Sequence, residues 1–149
     1  MHTYTSNAIH LVFATKDRKR TIDDEIRPRV HAYLGGIAKS IGCIPVSIGG
    51  VADHTHGLIV IPARLALADV VKRLKVGSTN WIRDTAPSRR SFEWQRGYGA
   101  FSVSRSAWPS VVRYIEAQEA HHRKRTFAEE YVKLLEAHRI EYDPAFLWA

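Results

Sequence analysis

The order of apolar and polar positions in the first third of the chain changes from a strand-like to a helix-like pattern. Residues 8–14 form an apolar, β-branched and aromatic run, which predicts a buried strand followed by a basic loop at residues 16–20. Apolar residues then recur at spacings of three and four over residues 22–41, which predicts a long helix with Thr21 as its N-cap. The pattern therefore predicts a strand followed by a helix.

The middle of the chain continues with two strands and a second helix. Residues 43–48 predict a strand, residues 49–50 a glycine turn, and residues 54–61 a third strand. Apolar residues over positions 67–82 have helical spacing and predict the second helix, which Gly77 is expected to break or loosen.

The last third of the chain predicts one more strand and then helices. Residues 92–103 carry aromatics and two glycines and predict an irregular fourth strand. Residues 108–123 and 127–135 predict a third and a fourth helix. The tail is expected to be packed by its aromatic side chains Tyr142, Phe146 and Trp148.

The predicted elements follow the order β-α-β-β-α-β, which is typical of a ferredoxin-like sandwich of the α+β class. In such a fold an antiparallel sheet carries helices on one face, and here further helices follow at the C-terminus. The sequence has neither an internal repeat nor a linker, so a single domain is expected over residues 1–149.

The charge of the chain favours a polyanionic partner. Lysine and arginine number 22 against 15 aspartate and glutamate residues, which gives a formal net charge of +7. Aromatic residues lie among the basic clusters, as in grooves that bind unpaired nucleic-acid strands, although solvated surfaces would show the same composition. The candidate contacts to DNA are Lys16, Arg18, Arg20, Lys72, Arg73, Lys75, Arg96, Tyr98, His121, His122 and Arg123.

The cysteine count and the apolar runs indicate where the protein works. Cys43 is the one cysteine, so no disulfide forms within the chain, and a reducing cytoplasm is expected. The N-terminus lacks the pattern of a signal peptide, and the longest apolar run, at residues 58–61, is too short to span a membrane. No membrane partner is therefore expected.

A pair of histidines heads the third predicted strand. Because strand side chains alternate, His54 and His56 point to one face and Thr55 to the other. Two imidazoles on a rigid strand offer two ligands to a metal ion. The alternative is a pair of surface histidines on a half-exposed strand.

The third predicted helix carries a second set of reactive side chains. At about 100° per residue, Tyr114, Gln118 and His121 share one flank of the helix beside its apolar stripe. The phenol and the amide are therefore expected on a partly exposed ledge. The alternative is an amphipathic tyrosine at the edge of the core, next to a solvated glutamine.

Four segments of the chain carry recognisable motifs: HLVFATK at residues 10–16, ADHTHGLI at residues 52–59, WQRGYGAFSV at residues 94–103 and YIEAQEAHH at residues 114–122. In these segments the chain resembles the single-tyrosine HUH transposases of the insertion sequence two-hundred family. These motifs occur in the order of the family and cover nearly the whole chain.

The resemblance implies a site and a reaction. His54, His56 and Gln118 would hold a divalent metal ion, Mg²⁺ or Mn²⁺, and Tyr114 would attack single-stranded DNA to form a 5′-phosphotyrosine. The DNA would carry hairpin ends, and no nucleotide cofactor is implied. Members of the family typically act as homodimers, and in some the tyrosine helix docks against the partner's histidines.

Two positions differ from the usual family pattern. Thr55 stands between the histidines where a bulky apolar residue is usual, and Gly57 follows them where leucine is frequent. A β-branched residue still suits a strand, so the first difference leaves the prediction unchanged.

Two other functions remain open on the sequence. One is a host-retained relative that binds or cuts palindromic single-stranded DNA without transposition. The other is a metal-dependent hydrolase that uses His54 and His56 with water and leaves no covalent protein–DNA species.

Overall fold

The computed structural model describes residues 2–148, within which four strands and two long helices follow the predicted order. The helices are α1 (Arg27–Ser40), between the first two strands, and α2 (Leu67–Thr85), between the last two. The strands are β1 (Ala8–Ala14), β2 (Ile44–Val51), β3 (His54–Val60) and β4 (Gly99–Val103).

The strands form one antiparallel sheet in the order β2-β3-β1-β4. Strand β1 lies inside the sheet, where Val12 faces His56 on β3 and Gly99 on β4. Its almost continuous apolar sequence suits a strand that is covered on both faces. This topology confirms the ferredoxin-like α+β fold.

Helices α1 and α2 cover one face of the sheet. Leu11 and Phe13 on β1 and Ile59 on β3 point to that face and pack into the main core. Side chains of α1 and α2 such as Leu34 and Leu74 complete it and are almost fully buried.

The other face of the sheet is covered by the C-terminal helices α3 (Trp108–Glu116), α4 (Gln118–His122) and α5 (Phe127–Ala137). Ile115 of α3 joins Leu58 in a small core, and Phe127 of α5 packs with Val12 and Phe101 in another. Helices therefore lie on both faces of the sheet, and α3, α4 and α5 cover the face that carries His54 and His56.

The first helix begins later than the apolar spacing predicts. Thr21 is not its N-cap, because α1 starts at Arg27 and a turn precedes it. The carboxylate of Asp23 accepts hydrogen bonds from the backbone N–H groups of Glu25 and Ile26 at 3.1 and 3.2 Å. An aspartate that captures these amides holds the chain in a turn before the helix.

The glycines have other roles than predicted. Residues 49–50 belong to β2, and the turn to β3 lies at residues 52–53 instead. Gly77 does not interrupt α2, and a Cβ atom at this position would lie 2.8 Å from Cδ1 of Ile37 on α1. Gly77 thus permits a close approach of the two helices.

The C-terminal third is less regular than predicted. Strand β4 spans only five residues, and in the segment before it Trp94 forms an isolated bridge with Thr15, the residue that follows β1. The predicted third helix divides at Ala117, whose backbone has φ −90° and ψ 10°. In the tail, Tyr142 and Trp148 pack against α5, whereas Phe146 is 71% exposed, so its predicted packing is wrong.

No helix in residues 2–148 is both long and apolar enough to cross a membrane.

Candidate active site

The two histidines of β3 lie beneath the C-terminal helices with their side chains fully buried. Nδ1 of His54 donates a hydrogen bond to the Asp53 carboxylate at 2.7 Å. Nδ1 of His56 shares a hydrogen bond of 2.8 Å with Nε2 of His10 on β1. Because both rings are fixed through Nδ1, both present Nε2 to the space below α5.

A buried carboxylate from α5 meets these Nε2 atoms. Oε1 of Glu130 lies 3.2 Å from Nε2 of His54 and 3.0 Å from Nε2 of His56. Nε2 of His122, on α4, lies 3.1 Å from the same oxygen, and its Nδ1 donates to the Arg125 carbonyl at 2.9 Å. Histidines from separate elements thus converge on one carboxylate oxygen.

The second oxygen of Glu130 contacts the predicted reactive pair on α3 and α4. The Tyr114 hydroxyl donates a hydrogen bond to Oε2, and the Gln118 amide nitrogen donates to it at 3.0 Å. The Gln118 carbonyl oxygen lies 2.9 Å from Nε2 of His54. Gln118 is buried, so the prediction that its amide lies on a partly exposed ledge is wrong, while its proximity to Tyr114 is as predicted.

The apolar stripe of α3 sets the position of the phenol. Ile115 is buried, and Val111 and Val112 pack beside it, which leaves Tyr114 on the flank that faces the histidines. The Tyr114 ring centroid lies 5.6 Å from that of His56 and 5.8 Å from that of His10. Phenol and imidazoles therefore meet within a single chain.

Burial and hydrogen bonding act against each other on the charged groups. Burial would raise the pKa of Glu130, but hydrogen bonds from His122, His54 and His56 lower it far below its ordinary value. Burial lowers the pKa of His54, but its bonds to Asp53 and Glu130 outweigh this and raise the pKa to about 9. An ionised carboxylate therefore faces a protonated His54.

The rings of His56 and His10 and the phenol of Tyr114 stay neutral. Burial lowers the pKa of His56 to about 4, against the opposite influence of Glu130. Burial, together with the neighbouring His56, lowers the pKa of His10 to about 3. Burial and the Glu130 hydrogen bond both raise the pKa of Tyr114, which keeps its phenol protonated in this arrangement.

The polar atoms of the site are spaced like ligands of one cation. His54, His122 and Glu130 each offer a ligand atom within 4.8 Å of the others. Oε1 of Glu130 and the nearby nitrogens are 3.0–3.2 Å apart. Neighbouring ligands of an octahedral ion with bonds of about 2.1 Å lie about 3 Å apart. Imidazole and oxygen donors suit a divalent metal such as Mn²⁺, so the residues present fit such an ion.

Several of the predicted DNA contacts interact with other groups of the same chain. Lys16 pairs with Glu93 at 2.8 Å, and the Arg18 guanidinium lies 4.3 Å from the centre of the Trp148 ring. The Lys75 ammonium donates to the carbonyl of Gln95 at 2.8 Å and also holds the following two carbonyls. These cations therefore brace the loop before β4 and the tail.

The other predicted DNA contacts lie in several different parts of the structure. Lys72 and Arg73 lie on α2, on the sheet face opposite the histidine pair, where they line a groove with Ile37 of α1. His121 lies beside the nucleophile candidate, with its ring centroid 5.0 Å from that of Tyr114. Arg20 and Arg123 are exposed, Arg96 lines the cleft next to Lys16, and Tyr98 packs against the main core.

Sequence reasoning missed Glu130. A signal was present, because Glu130 follows Phe127 by three positions and precedes Tyr131, and both of these side chains face the core. A carboxylate within the apolar stripe of a helix is rarely buried without a partner.

Comparisons with known proteins place the chain in a family. The family model described as "Transposase IS200 like" matches residues 3–118. The ISDra2 transposase TnpA of Deinococcus radiodurans is 25% identical over 114 residues, which cover 73% of this chain and 81% of that protein.

Two solved structures share the fold. A crystal structure described as that of a candidate transposase from Deinococcus radiodurans R1 has a TM-score of 0.63 and 25% identity, and the match covers 79% of this chain and 95% of that one. A REP-associated tyrosine transposase bound to a REP hairpin has a TM-score of 0.62 and 10% identity, with 82% and 72% covered.

Proposed function

Since the chain belongs to the family of IS200-like transposases, we propose that it cleaves and rejoins single-stranded DNA through a covalent bond between Tyr114 and a 5′-phosphate. The observation that carries this proposal is the contact between the Tyr114 hydroxyl and a carboxylate that also meets the imidazoles of His54 and His56. A nucleophile for DNA cleavage has to lie beside the groups that bind the phosphate, and the Tyr114 phenol has this position.

A phenol suits a reaction that must run in both directions. Its ordinary pKa of about 10 is lower than that of an aliphatic alcohol, so a phenolate is both an accessible nucleophile and an accessible leaving group. The Tyr114 oxygen bonds to phosphorus while the bond to the 3′-oxygen breaks. Tyr114 gives up one proton and the 3′-oxygen takes one up. A 3′-hydroxyl later attacks the phosphotyrosine and restores the phenol.

His54, His56 and Gln118 would hold a divalent ion, Mg²⁺ or Mn²⁺. When bound, such an ion polarises the scissile phosphate as a Lewis acid. The protein's part is to orient the ligands: Asp53 and His10 bond to Nδ1 of the two rings, so that Nε2 of each ring points to the place where the ion would bind.

The proposed partner is single-stranded DNA with hairpin ends. The REP hairpin carried by one structural neighbour supports this choice, as does the net charge of +7. His121, Arg123 and Arg20 are proposed to contact the strand near Tyr114. The His121 ring lies next to the Tyr114 ring, Arg123 is exposed and follows His122 of the site, and Arg20 is exposed and near Asp53. The homodimer remains a prediction, and the short distances within one chain support cleavage by Tyr114 in cis.

The test is covalent capture of labelled DNA. We expect the protein, incubated with Mn²⁺ and single-stranded hairpin DNA, to give a shifted band on a denaturing gel. Tyr114→Phe should abolish the band, whereas Tyr4→Phe, at a tyrosine that is 90% exposed, should keep it. A band that survives Tyr114→Phe would refute the nucleophile. Cut DNA without a band would favour a hydrolase, and neither product would favour a relative that only binds.

A further inference from the structure

Glu130 belongs to a part of the chain beyond residues 3–118, which match the family. It is nevertheless a fixed part of the molecule, because Phe127, Tyr131 and Leu135 anchor the same helix face and are each at most 6% exposed. Its side chain is therefore delivered to the site by a packed helix and not by a loose tail.

The two oxygens of Glu130 serve different parts of the site. Oε1 lies within 3.2 Å of the Nε2 atoms of His54, His56 and His122. Oε2 accepts hydrogen bonds from the Tyr114 hydroxyl and from the amide of the predicted glutamine ligand. The carboxylate thus contacts each proposed metal ligand and the proposed nucleophile.

Such a position is costly unless the charge is compensated. An ionised carboxylate that is removed from water loses several kcal/mol of hydration, which hydrogen bonds and opposite charge must offset. Glu130 is 1% exposed and uses both oxygens for such contacts. A buried anion among metal-binding imidazoles is expected where a cation is part of the working site.

We propose that Glu130 joins the metal ligands to the nucleophile, with one carboxylate oxygen completing the ligand set of the divalent ion and the other holding the Tyr114 hydroxyl. This inference rests on the proposed function. His122, which meets the same oxygen, belongs to the same extended set. The segment after the family match therefore supplies part of the active site.

The charge of the ligand set changes as a consequence. Two histidines and a glutamine are neutral, whereas a set that includes Glu130 carries one negative charge. An anionic oxygen ligand strengthens the binding of hard ions such as Mg²⁺ and Mn²⁺, which prefer oxygen. The same carboxylate limits the directions in which the phenol can point.

Metal binding without DNA tests the proposal. We compare Mn²⁺ titrations, followed by electron paramagnetic resonance of the free ion, for the unmodified protein, Glu130→Gln and Glu136→Gln. Glu136 lies on the same helix but is exposed, so its variant is the matched control. We expect Glu130→Gln to weaken Mn²⁺ binding about tenfold or more, and Glu136→Gln to leave it unchanged.

A second variant guards against misfolding. If Glu130→Gln does not fold, as judged by circular dichroism, Glu130→Asp keeps the charge but withdraws it by one methylene, and it should also weaken Mn²⁺ binding. Unchanged binding in the folded variant would overturn the proposal. Tighter binding would overturn it too, because Glu130 would then occupy the place of the cation. The Tyr114→Phe gel reports separately on the proposed reaction, so either idea can fail alone.

Discussion

His10 on β1 and His56 on β3 are joined by a hydrogen bond of 2.8 Å across the sheet. They are diagonal neighbours, since His10 faces Leu58 and His56 faces Val12 in the strand register. Their ring centroids lie 5.1 Å apart, and both rings are almost fully buried. His10 therefore fixes which nitrogen of His56 is available to the site.

Loss of this hydrogen bond should weaken the binding of the proposed metal ion. In His10→Phe, Nδ1 of His56 has no partner, so the ring can turn, and we expect Mn²⁺ affinity to fall about 10- to 100-fold. His10→Gln retains an amide that can donate or accept a hydrogen bond and should recover part of the loss. His138→Gln, at an exposed histidine, is the control. Equal Mn²⁺ affinity in all proteins would contradict the role of His10.

Gly49 sets the distance between the tyrosine helix and the sheet. A Cβ atom there would lie 2.8 Å from the Ile115 carbonyl oxygen and 2.9 Å from its Cγ2, so α3 would have to shift. We expect Gly49→Ala to destabilise the fold by about 1–3 kcal/mol and to reduce the yield of covalent adduct.

Gly36 provides the contrast to Gly49. It lies on exposed helix surface, where a Cβ atom would meet nothing within 4 Å, and Gly36→Ala should stabilise α1 by about 1 kcal/mol. Urea denaturation of both variants measures the difference, and similar midpoints would count against the tight contact at Gly49.

Thr55 carries a hydroxyl that gains nothing from being buried. Within residues 2–148 its Oγ1 has no hydrogen-bond partner, although the residue is only 2% exposed. We expect Thr55→Val to raise the free energy of unfolding by about 1 kcal/mol. Thr15→Val should do the opposite, because the Thr15 hydroxyl donates to the Lys19 carbonyl at 2.6 Å. Thermal unfolding of the two variants should therefore show shifts of opposite sign.

The stability of the metal-free protein should be highest near pH 6.5. Below that value the unfolded chain protonates His10 and His56, while the folded chain resists until pH about 3 and about 4, so stability falls with falling pH. Above it the unfolded chain loses the His54 proton, which the folded chain keeps until about pH 9, so stability also falls with rising pH.

Urea unfolding at pH 4.5, 6.5 and 8.5, with chelator present, measures this dependence. His54→Gln should flatten the alkaline side and leave the acid side in place. A stability that rises steadily from pH 4.5 to pH 8.5 would show that His54 does not hold its proton in the fold.

The sequence pattern correctly predicted the relative positions of side chains that belong to the same strand or to neighbouring turns of helix. Strand alternation put His54 and His56 on one face, and helical spacing put Gln118 near Tyr114, as the structure has them. The packing of segments that are distant in the chain could not be predicted in this way. The spacing within residues 127–137 marks an apolar face, but not the fact that this face docks above β3 and brings Glu130 there.

Limits of the same kind explain the misplaced boundaries. The Asp23 carboxylate accepts a hydrogen bond from the backbone N–H of Ile26 and so holds a turn directly before α1. The helix therefore begins after this turn and not at Thr21. The division of the third helix at Ala117 has no proline or glycine to signal it, and it accompanies the burial of Gln118. Such choices are made by the tertiary structure and not by local preference.

The phenol, the imidazoles and the carboxylate of the candidate site all belong to one polypeptide. This arrangement predicts the activity of a mixture of two inactive variants. If each molecule owns a complete set, a mixture of Tyr114→Phe and His54→Ala proteins stays silent, since neither can lend the other its missing group. Sites built across two subunits would instead regain activity in the mixed pair. If each molecule is complete in this way, a lone copy of the protein bound at one DNA end would hold every group that the proposed cleavage requires.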